Sequence, residues 1–428
     1  MNILLIATNR QDRYMNRMTV QPLPLGVAYL ASHIDPARHT LQVLDLMFAD
    51  DAVAAAQDTI RAFQPQLIGL SLRNLDNQSY LNSESVLPLV RDLVVRMRTL
   101  TQATIVCGGP AFSILPRECF AYIQPDLGIA GDAETTFAQL ADRLADGADY
   151  RDLPGLVYRD GEEIVVQMQR AAASFSKPPR LDLLDIKRYR QAGFGVGVIT
   201  KLSRFYDASG KADDGAIGQG WRIRPIPEVI EELRQVEDRY QLQRIFFIDS
   251  GFNIPLAYAK DLCHALHEAK LPLHWNTYLR PGPCDDELPN LMKQSGCLLT
   301  LLAGAQTSGE AGALDEQLDQ IGQLCKHCAA GGLPFTLSLI FGDPGENQAT
   351  VERKLAFLRE HQPSFATLRV GVRMLPGTPV TRLALQEGSL QTEDQLLQPI
   401  FYIAGAVRPW LVSRLQAEAE QNPRWTLM

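Results

Sequence analysis

Short apolar runs alternate with stretches of helical periodicity, and the alternation occurs twice along the chain. In the first pass Met1–Thr8, Leu41–Leu46, Leu67–Leu72, Thr104–Cys107 and Leu127–Ile129 read as strands. Leu23–Leu30, Ala52–Phe63, Ser85–Arg98 and Glu134–Leu144 read as helices, the first with Pro24 near its opening turn. Strands and helices in strict succession pack as a parallel sheet with helices on both faces, because each helical crossover returns the chain to the end of the sheet where the preceding strand began. Such a sheet binds ligands beyond the carboxyl ends of its strands. Three loops lie there: S-L-R-N-L-D-N at Ser71–Asn77, G-G-P-A-F-S at Gly108–Ser113 and G-D-A-E at Gly131–Glu134. Their glycines let backbone approach a ligand closely. Ser71, Asn74 and Asn77 can hydrogen-bond the amides or carbonyls of a large polar cofactor. Each loop is also readable as a plain tight turn. No G-x-G-x-x-G follows the first strand, so the dinucleotide fingerprint is missing.

The second pass follows a connection, 146–190, rich in Pro, Gly and charge. Leu156–Tyr158 and Glu163–Gln167 read as a hairpin around Asp160-Gly161, and Lys177-Pro178-Pro179 as extended chain. Strands are then expected at Gly195–Thr200, Arg244–Ile248, His274–Tyr278, Leu298–Leu302, Phe335–Phe341 and Thr367–Val372. Helices are expected at Pro227–Tyr240, Ile254–Glu268, Asp286–Gln294, Gly312–Ala330 and Gln348–His361. Six strand–helix units suit an open, partial barrel rather than a closed one of eight. The fold class is therefore α/β, with a doubly wound parallel sheet over 1–150, a hairpin and linker over 151–190, a partial (β/α)6 barrel over 191–380 and a helical segment over 381–428. Ala404–Met428 reads as one helix plus a tail.

Composition narrows the function. A net charge of −8 argues against a polyanion partner, so no nucleic acid is expected. No apolar stretch is long enough to span a bilayer, and the start lacks a basic leader before an apolar core; no membrane partner and a cytoplasmic location are expected. Of the seven cysteines, Cys325 and Cys328 stand close, as C-K-H-C, either half a metal site or the core side of a helix. No second pair follows at zinc spacing, so no protein-ligated metal is expected. No Walker loop or Ser/His/Asp pattern offers a rival mechanism.

Taken in order, several segments resemble the B12-binding radical SAM family. In the first unit these are P-L-P-L-G-V-A-Y-L-A at Pro22–Ala31, the Ser71–Asn77 loop, V-C-G-G-P-A-F-S at Val106–Ser113, and G-D-A-E where that family has G-E-x-E. In the second they are I-F-F-I-D-S-G-F-N at Ile245–Asn253, L-I-F-G-D-P-G-E at Leu339–Glu346 and M-L-P-G-T-P at Met374–Pro379. The resemblance implies cobalamin, bound around Leu25, Ser71, Arg73, Asn74, Asn77, Gly108, Gly109, Phe112, Ser113, Gly131 and Glu134, with the corrin between the two units. Many cobalamin domains give cobalt a histidine from D-x-H-x-x-G. That sequence is missing here, and His33 and His39 are not on the relevant loop. The resemblance thus implies a lower face that is open or covered by another side chain.

The departure from the family lies after the first barrel strand. Where the family has T-K-R-G-C-x-x-x-C-x-x-C, this chain has T-K-L-S-R-F-Y-D-A-S-G-K, so the cysteine positions fall on Arg204, Ala208 and Lys211. None of these replaces a thiolate on iron, so no 4Fe-4S cluster and no 5′-deoxyadenosyl radical are expected. Arg204 and Lys211 stand where the family holds the methionine end of S-adenosylmethionine. They either bind that carboxylate, bind an anionic substrate, or are solvated loop charges. Arg204, Asp249 and Tyr278 are the catalytic candidates. Lys211, Arg222, Ser250, Asn253 and Gln306 complete the cofactor side of the rim, and Arg280, Arg369 and Arg373 lie along it. Met374, Phe401 and Tyr402 either line a cavity or belong to the core; capping of the next helix accounts for Asp343 and Glu346, with bracing of the loop the other role open to Glu346.

Three functions remain. The first is a non-radical methyltransferase that uses S-adenosylmethionine and cobalamin on a small biosynthetic substrate, with a partner reductase for cobalt. The second is a silent cobalamin-binding regulator or partner protein. The third is a cobalamin enzyme of rearrangement or redox chemistry.

Overall fold

The computed structural model describes residues 1–9, 23–168, 177–191, 196–202, 222–249, 251–303 and 313–428. Its first half runs Asn2–Ala7 (β1), Leu25–Ala31 (α1), Thr40–Asp45 (β2), Ala52–Phe63 (α2), Leu67–Ser71 (β3), Leu87–Arg98 (α3), Thr104–Gly108 (β4), Pro110–Ile114 (α4), Pro116–Ile123 (α5), Leu127–Ile129 (β5) and Glu134–Asp146 (α6). The strands pair in parallel in the order β2-β1-β3-β4-β5, and the hairpin Leu156–Asp160 (β6) and Glu163–Val166 (β7) extends the β5 edge antiparallel. β1 and β3 are buried on both faces, as a sheet covered on both sides requires. Helices α4 and α5 occupy what reads in sequence as loop. Each starts on a proline, whose fixed φ and missing N–H suit a first turn, and each is too short to show a periodicity.

The second half runs Ile186–Gln191 (α7), Val196–Val198 (β8), Lys201–Leu202 (β9), Arg222–Ile223 (β10), Ile226–Tyr240 (α8), Arg244–Phe247 (β11), Leu256–Ala269 (α9), His274–Leu279 (β12), Glu287–Gln294 (α10), Cys297–Ala303 (β13), Ala313–Ala330 (α11), Phe335–Phe341 (β14), Gln348–His361 (α12) and Phe365–Val370 (β15). It closes with Val372–Arg373 (β16), Pro379–Gln386 (α13), Phe401–Tyr402 (β17), Leu411–Gln421 (α14) and Trp425–Leu427 (β18). The order β8-β11-β12-β13-β14-β15-β18 is parallel throughout, as a partial barrel demands. The six expected strands are present and a seventh joins them. The tail beyond α14 forms β18, a strand of three residues with no periodicity of its own, held by the free edge of β15.

Alternation along these strands sorts their side chains. Ile245, Phe247 and Trp275 are buried, and the rings of Phe247, Phe252 and Trp275 pack within 5.6 Å of one another. The alternate residues Phe246, Ile248, Asn276 and Tyr278 are only partly covered. Asp343 and Glu346 do not cap α12; Asn347 does, in a capping box with Thr350. Both carboxylates turn inward on Lys354, at 2.9 and 2.6 Å, and all three side chains are wholly buried. An ion triad there stiffens the loop after β14, whose Gly342 amide donates to Glu346.

Cys325 and Cys328 are buried on the core side of α11. Among the described residues no group of three or more His, Cys, Asp or Glu is placed to hold a metal ion. Among the same residues no helix is long and apolar enough to cross a membrane.

Candidate active site between the two sheets

The loops beyond the carboxyl ends of the first sheet meet the mouth and free edge of the second. Leu25, at the start of α1, lies on Gly197 of β8, where a Cβ would meet Leu25 Cδ1 at 2.8 Å and force that side chain to shift. Tyr189 of α7 donates to Asp45 at the end of β2 (2.6 Å) and accepts from Asn9 (3.3 Å). Arg222 of β10 pairs with Asp132 in the G-D-A-E loop at 3.1 Å.

One loop does most of the joining. After Ser71, Arg73 and Asn74 it turns across the second sheet, where Asp76 takes Nε of Arg373 at 2.8 Å, both side chains almost fully buried. Gln78 accepts from Arg369 at 3.3 Å, and Tyr80 meets Phe401 edge-on at 5.9 Å. Tyr80, Phe401, Tyr402 and Met374 line a cavity of about 250 Å³ beside this contact. Asn77 directs its carboxamide within the loop, donating to the Asn82 carbonyl and accepting from the amides of Ser79 (3.2 Å) and Glu84 (3.1 Å).

The neighbouring loops are clamped to each other. Gly109 has φ +99°, and a Cβ on it would come within 2.5 Å of the Leu72 carbonyl oxygen. Ser113 donates to the Gly109 carbonyl at 2.9 Å and accepts from the Gly131 amide at 2.7 Å. Phe112 is wholly buried, its ring filling the space that Gly128 leaves. Glu134 opens α6, and burial pushes its carboxyl up, Asp132 adding to the shift.

On the barrel side, Asp249 is buried. It accepts from the amides of Thr200 (2.8 Å) and Lys201 (3.2 Å) and from the Thr200 hydroxyl. It therefore braces the exit of β8 and does not face the mouth, and burial raises its carboxyl. Lys201 is equally buried, donates to the Phe252 carbonyl at 2.7 Å, and is pushed down to about 8 by desolvation against the pull of Asp249 at 3.9 Å. Asn253 clasps the next loop, donating to the carbonyls of Arg280 (2.9 Å) and Pro283 (3.0 Å) and accepting from the Arg280 amide (3.0 Å).

Tyr278 does face the mouth. Its ring rests edge-on against Phe246 at 5.1 Å, and its phenol lies in the field of Arg73 from the first sheet and Arg369 from β15. Desolvation raises its pKa more than the two cations lower it, so the phenol stays protonated at neutral pH. Arg73, Tyr278 and Arg369 thus converge from both sheets. Arg204, Lys211, Ser250 and Gln306 lie outside the described residues.

A B12-binding domain profile matches residues 15–141. A tryptophan 2-C-methyltransferase of Streptomyces laurentii is 24% identical over 426 residues, spanning 82% of this chain and 70% of that protein. An uncharacterized methyltransferase of Pyrococcus horikoshii is 23% identical over 408 residues, 92% of this chain and 85% of that one. The radical S-adenosylmethionine methyltransferase TsrM of Kitasatospora setae, solved with cobalamin and an iron–sulfur cluster, superposes with a TM-score of 0.82 at 19% identity, covering 100% of this chain and 93% of its own. The chain carries a B12-binding domain on a radical-SAM-type fold.

The residues of the B12-binding domain fit a neutral, amide-fringed macrocycle. Ser71, Asn74, Gly108, Gly109, Ser113 and Gly131 are all half-buried at the rim, whereas the strands beneath are closed. Hydroxyls, a carboxamide and glycine backbone suit side-chain amides of a corrin and would hold a hard cation poorly. His39 is held by Asp142 at 3.0 Å, before β2 and so at the opposite end of the sheet. The buried cluster of Tyr29, Arg224 and Glu232 at the seam carries no sequence motif; Arg224 meets Glu232 at 2.7 Å, and burial raises the Tyr29 phenol. A polar residue at an outward position of a strand is the signal for Asn276, whose side-chain oxygen is buried without a partner among the described residues.

Proposed function

We propose that the protein is a cobalamin-dependent methyltransferase that takes its methyl group from S-adenosylmethionine without a radical step. The observation that carries this is a B12-binding domain joined to a radical-SAM-type fold whose Thr200–Lys211 segment holds no cysteine. Cobalamin, when bound, supplies a cobalt nucleophile able to accept a methyl cation and pass it on. The chain's own residues do the rest. Ser71, Asn74 and the Ser113–Gly131 clamp hold the corrin fringe, and Asp249 positions the segment that begins at Thr200 by fixing its first amides. Arg204 and Lys211, in the segment that replaces the cysteine motif, take the carboxylate of S-adenosylmethionine. Tyr278 Oη, kept protonated, donates a hydrogen bond into the mouth and does not serve as a base at neutral pH. Residues 1–150 act as the cofactor unit and 191–380 as the unit for donor and acceptor; an outside reductant prepares the cobalt.

The test is a single turnover. Protein loaded with cobalamin and reduced anaerobically receives S-adenosylmethionine, and the nucleoside products are quantified. The expected result is stoichiometric S-adenosylhomocysteine with loss of the Co(I) absorption and no 5′-deoxyadenosine. Retained cobalamin with no S-adenosylhomocysteine would leave the silent-binder reading in its place.

A further inference from the structure

The inner face of the second sheet is divided. Helices cover one face, and the alternate residues on the other are partly exposed along each of β11, β12, β14 and β15. A parallel sheet is ordinarily covered on both faces, so a face left open lines a space for a ligand. On the β11–β13 side this face is apolar: Phe246, Ile248, Tyr278 and Leu301, with Ile248 41% and Tyr278 39% exposed. On the β14–β15 side it carries the hydroxyls of Ser338 and Thr367, paired in register, and then Arg369 opposite Ile340.

Arg369 is the unusual member. Its guanidinium is desolvated enough to lower its pKa, and Tyr278 is the group that opposes the shift. Its hydrogen bond to the Gln78 carboxamide is long at 3.3 Å, and among the described residues no carboxylate comes within ion-pair distance of it. With one described hydrogen bond, most of the five donors of this half-buried guanidinium are left to the open side of the sheet, where a carboxylate can take them. At the other end of the face the Asn276 oxygen is a buried acceptor with no donor among the described residues. β12 and β15 are three strand spacings apart, about 14 Å between backbones, so the two groups bracket one small molecule.

We propose that this face binds the methyl acceptor, and that the acceptor is a flat, apolar carboxylic acid with a hydrogen-bond donor: carboxylate on Arg369, body against Phe246, Tyr278 and Leu301, donor on Asn276. The assignment rests on the methyltransferase reading for the word acceptor, and on the geometry alone for the ligand's chemistry.

Cobalamin-loaded protein is titrated with 4-hydroxybenzoate, 4-hydroxyphenylacetate and indole-3-acetate and with the primary amide of each, binding being followed by saturation-transfer NMR. The larger acids should bind tenfold or more better than their amides, as a charge-assisted pair would give. Arg369→Gln should abolish that preference. Arg369→Lys should keep part of it, because an ammonium preserves the charge and loses the fork. Cobalamin content reports whether each variant is folded. No acid preference in the native protein, or one that survives Arg369→Gln, overturns the proposal. So does displacement of the acids by S-adenosylhomocysteine together with weaker S-adenosylhomocysteine binding in Arg369→Gln, since Arg369 would then serve the donor. An acid preference in a protein that forms no S-adenosylhomocysteine would leave the site standing and remove the methyltransferase reading instead.

Discussion

Lys201 and Asp249 illustrate what a single buried residue costs and supplies. The lysine sits where the chain leaves β8, with its ammonium lowered from 10.5 to about 8 because burial penalises the charged form more than Asp249 rewards it. A folded-state pKa below the unfolded one means that the unfolded chain binds more protons between those values. Stability attributable to Lys201 is therefore full above about pH 10.5 and falls as pH drops towards about 8, by at most about 3 kcal/mol. Urea unfolding of native protein and Lys201→Met across pH 7–10.5 should show this rise in the first and not in the second. Parallel curves would mean that the lysine is not desolvated. None of this was legible from T-K-L-S, since the same lysine on an open loop would titrate normally. Asp249, Asn253 and Phe112 share the lesson: each stands at a rim position in sequence, and each is drawn inward by partners on other strands.

At the scale of elements, the C-terminal segment does more than its sequence announces. Helix α14 is tied to α12 by a carboxylate network in which Glu418, almost fully buried, accepts from Arg359 at 2.6 Å and Arg414 at 2.9 Å, while Arg414 also pairs with Glu352. That fixes the start of β18 beside β15 and covers an edge that would otherwise stand open. Glu418→Gln should lower stability by about 1–2 kcal/mol, below the full cost of breaking a buried pair because Arg359 is 46% and Arg414 28% exposed. Denaturant midpoints read this directly, and an unchanged midpoint would show the network to be decorative. The helices and most strands were readable from periodicity, which is a local property. β18, α4 and α5 were not, because a three-residue strand or a helix of one or two turns carries too few residues to display a period.

The whole molecule depends on how the two sheets are held together. Among the described residues Arg373 and Asp76 form the most buried ion pair across the seam, and Asp76 belongs to the loop that also bears Ser71, Arg73 and Asn74. Arg373→Ala leaves a carboxylate buried without a partner, at a cost of about 3–5 kcal/mol. Calorimetry of the native protein should show one cooperative transition. The variant should melt lower, in two steps, with weaker cobalamin retention, as expected when an inter-unit contact is lost. A single unshifted transition would show that the seam is held elsewhere. The α/β class, the two passes of alternation, the rim loops and the missing cysteine motif can all be read from the residues alone, because backbone propensity and side-chain period act over a few residues. That Asp76 meets Arg373, that Arg222 meets Asp132, and that Arg73 and Arg369 both act on Tyr278 follow from long-range packing alone. Those groups, as far apart as 297 residues in Asp76 and Arg373, are brought together by burial of surfaces remote in sequence, and no local pattern records which charge will lose its water.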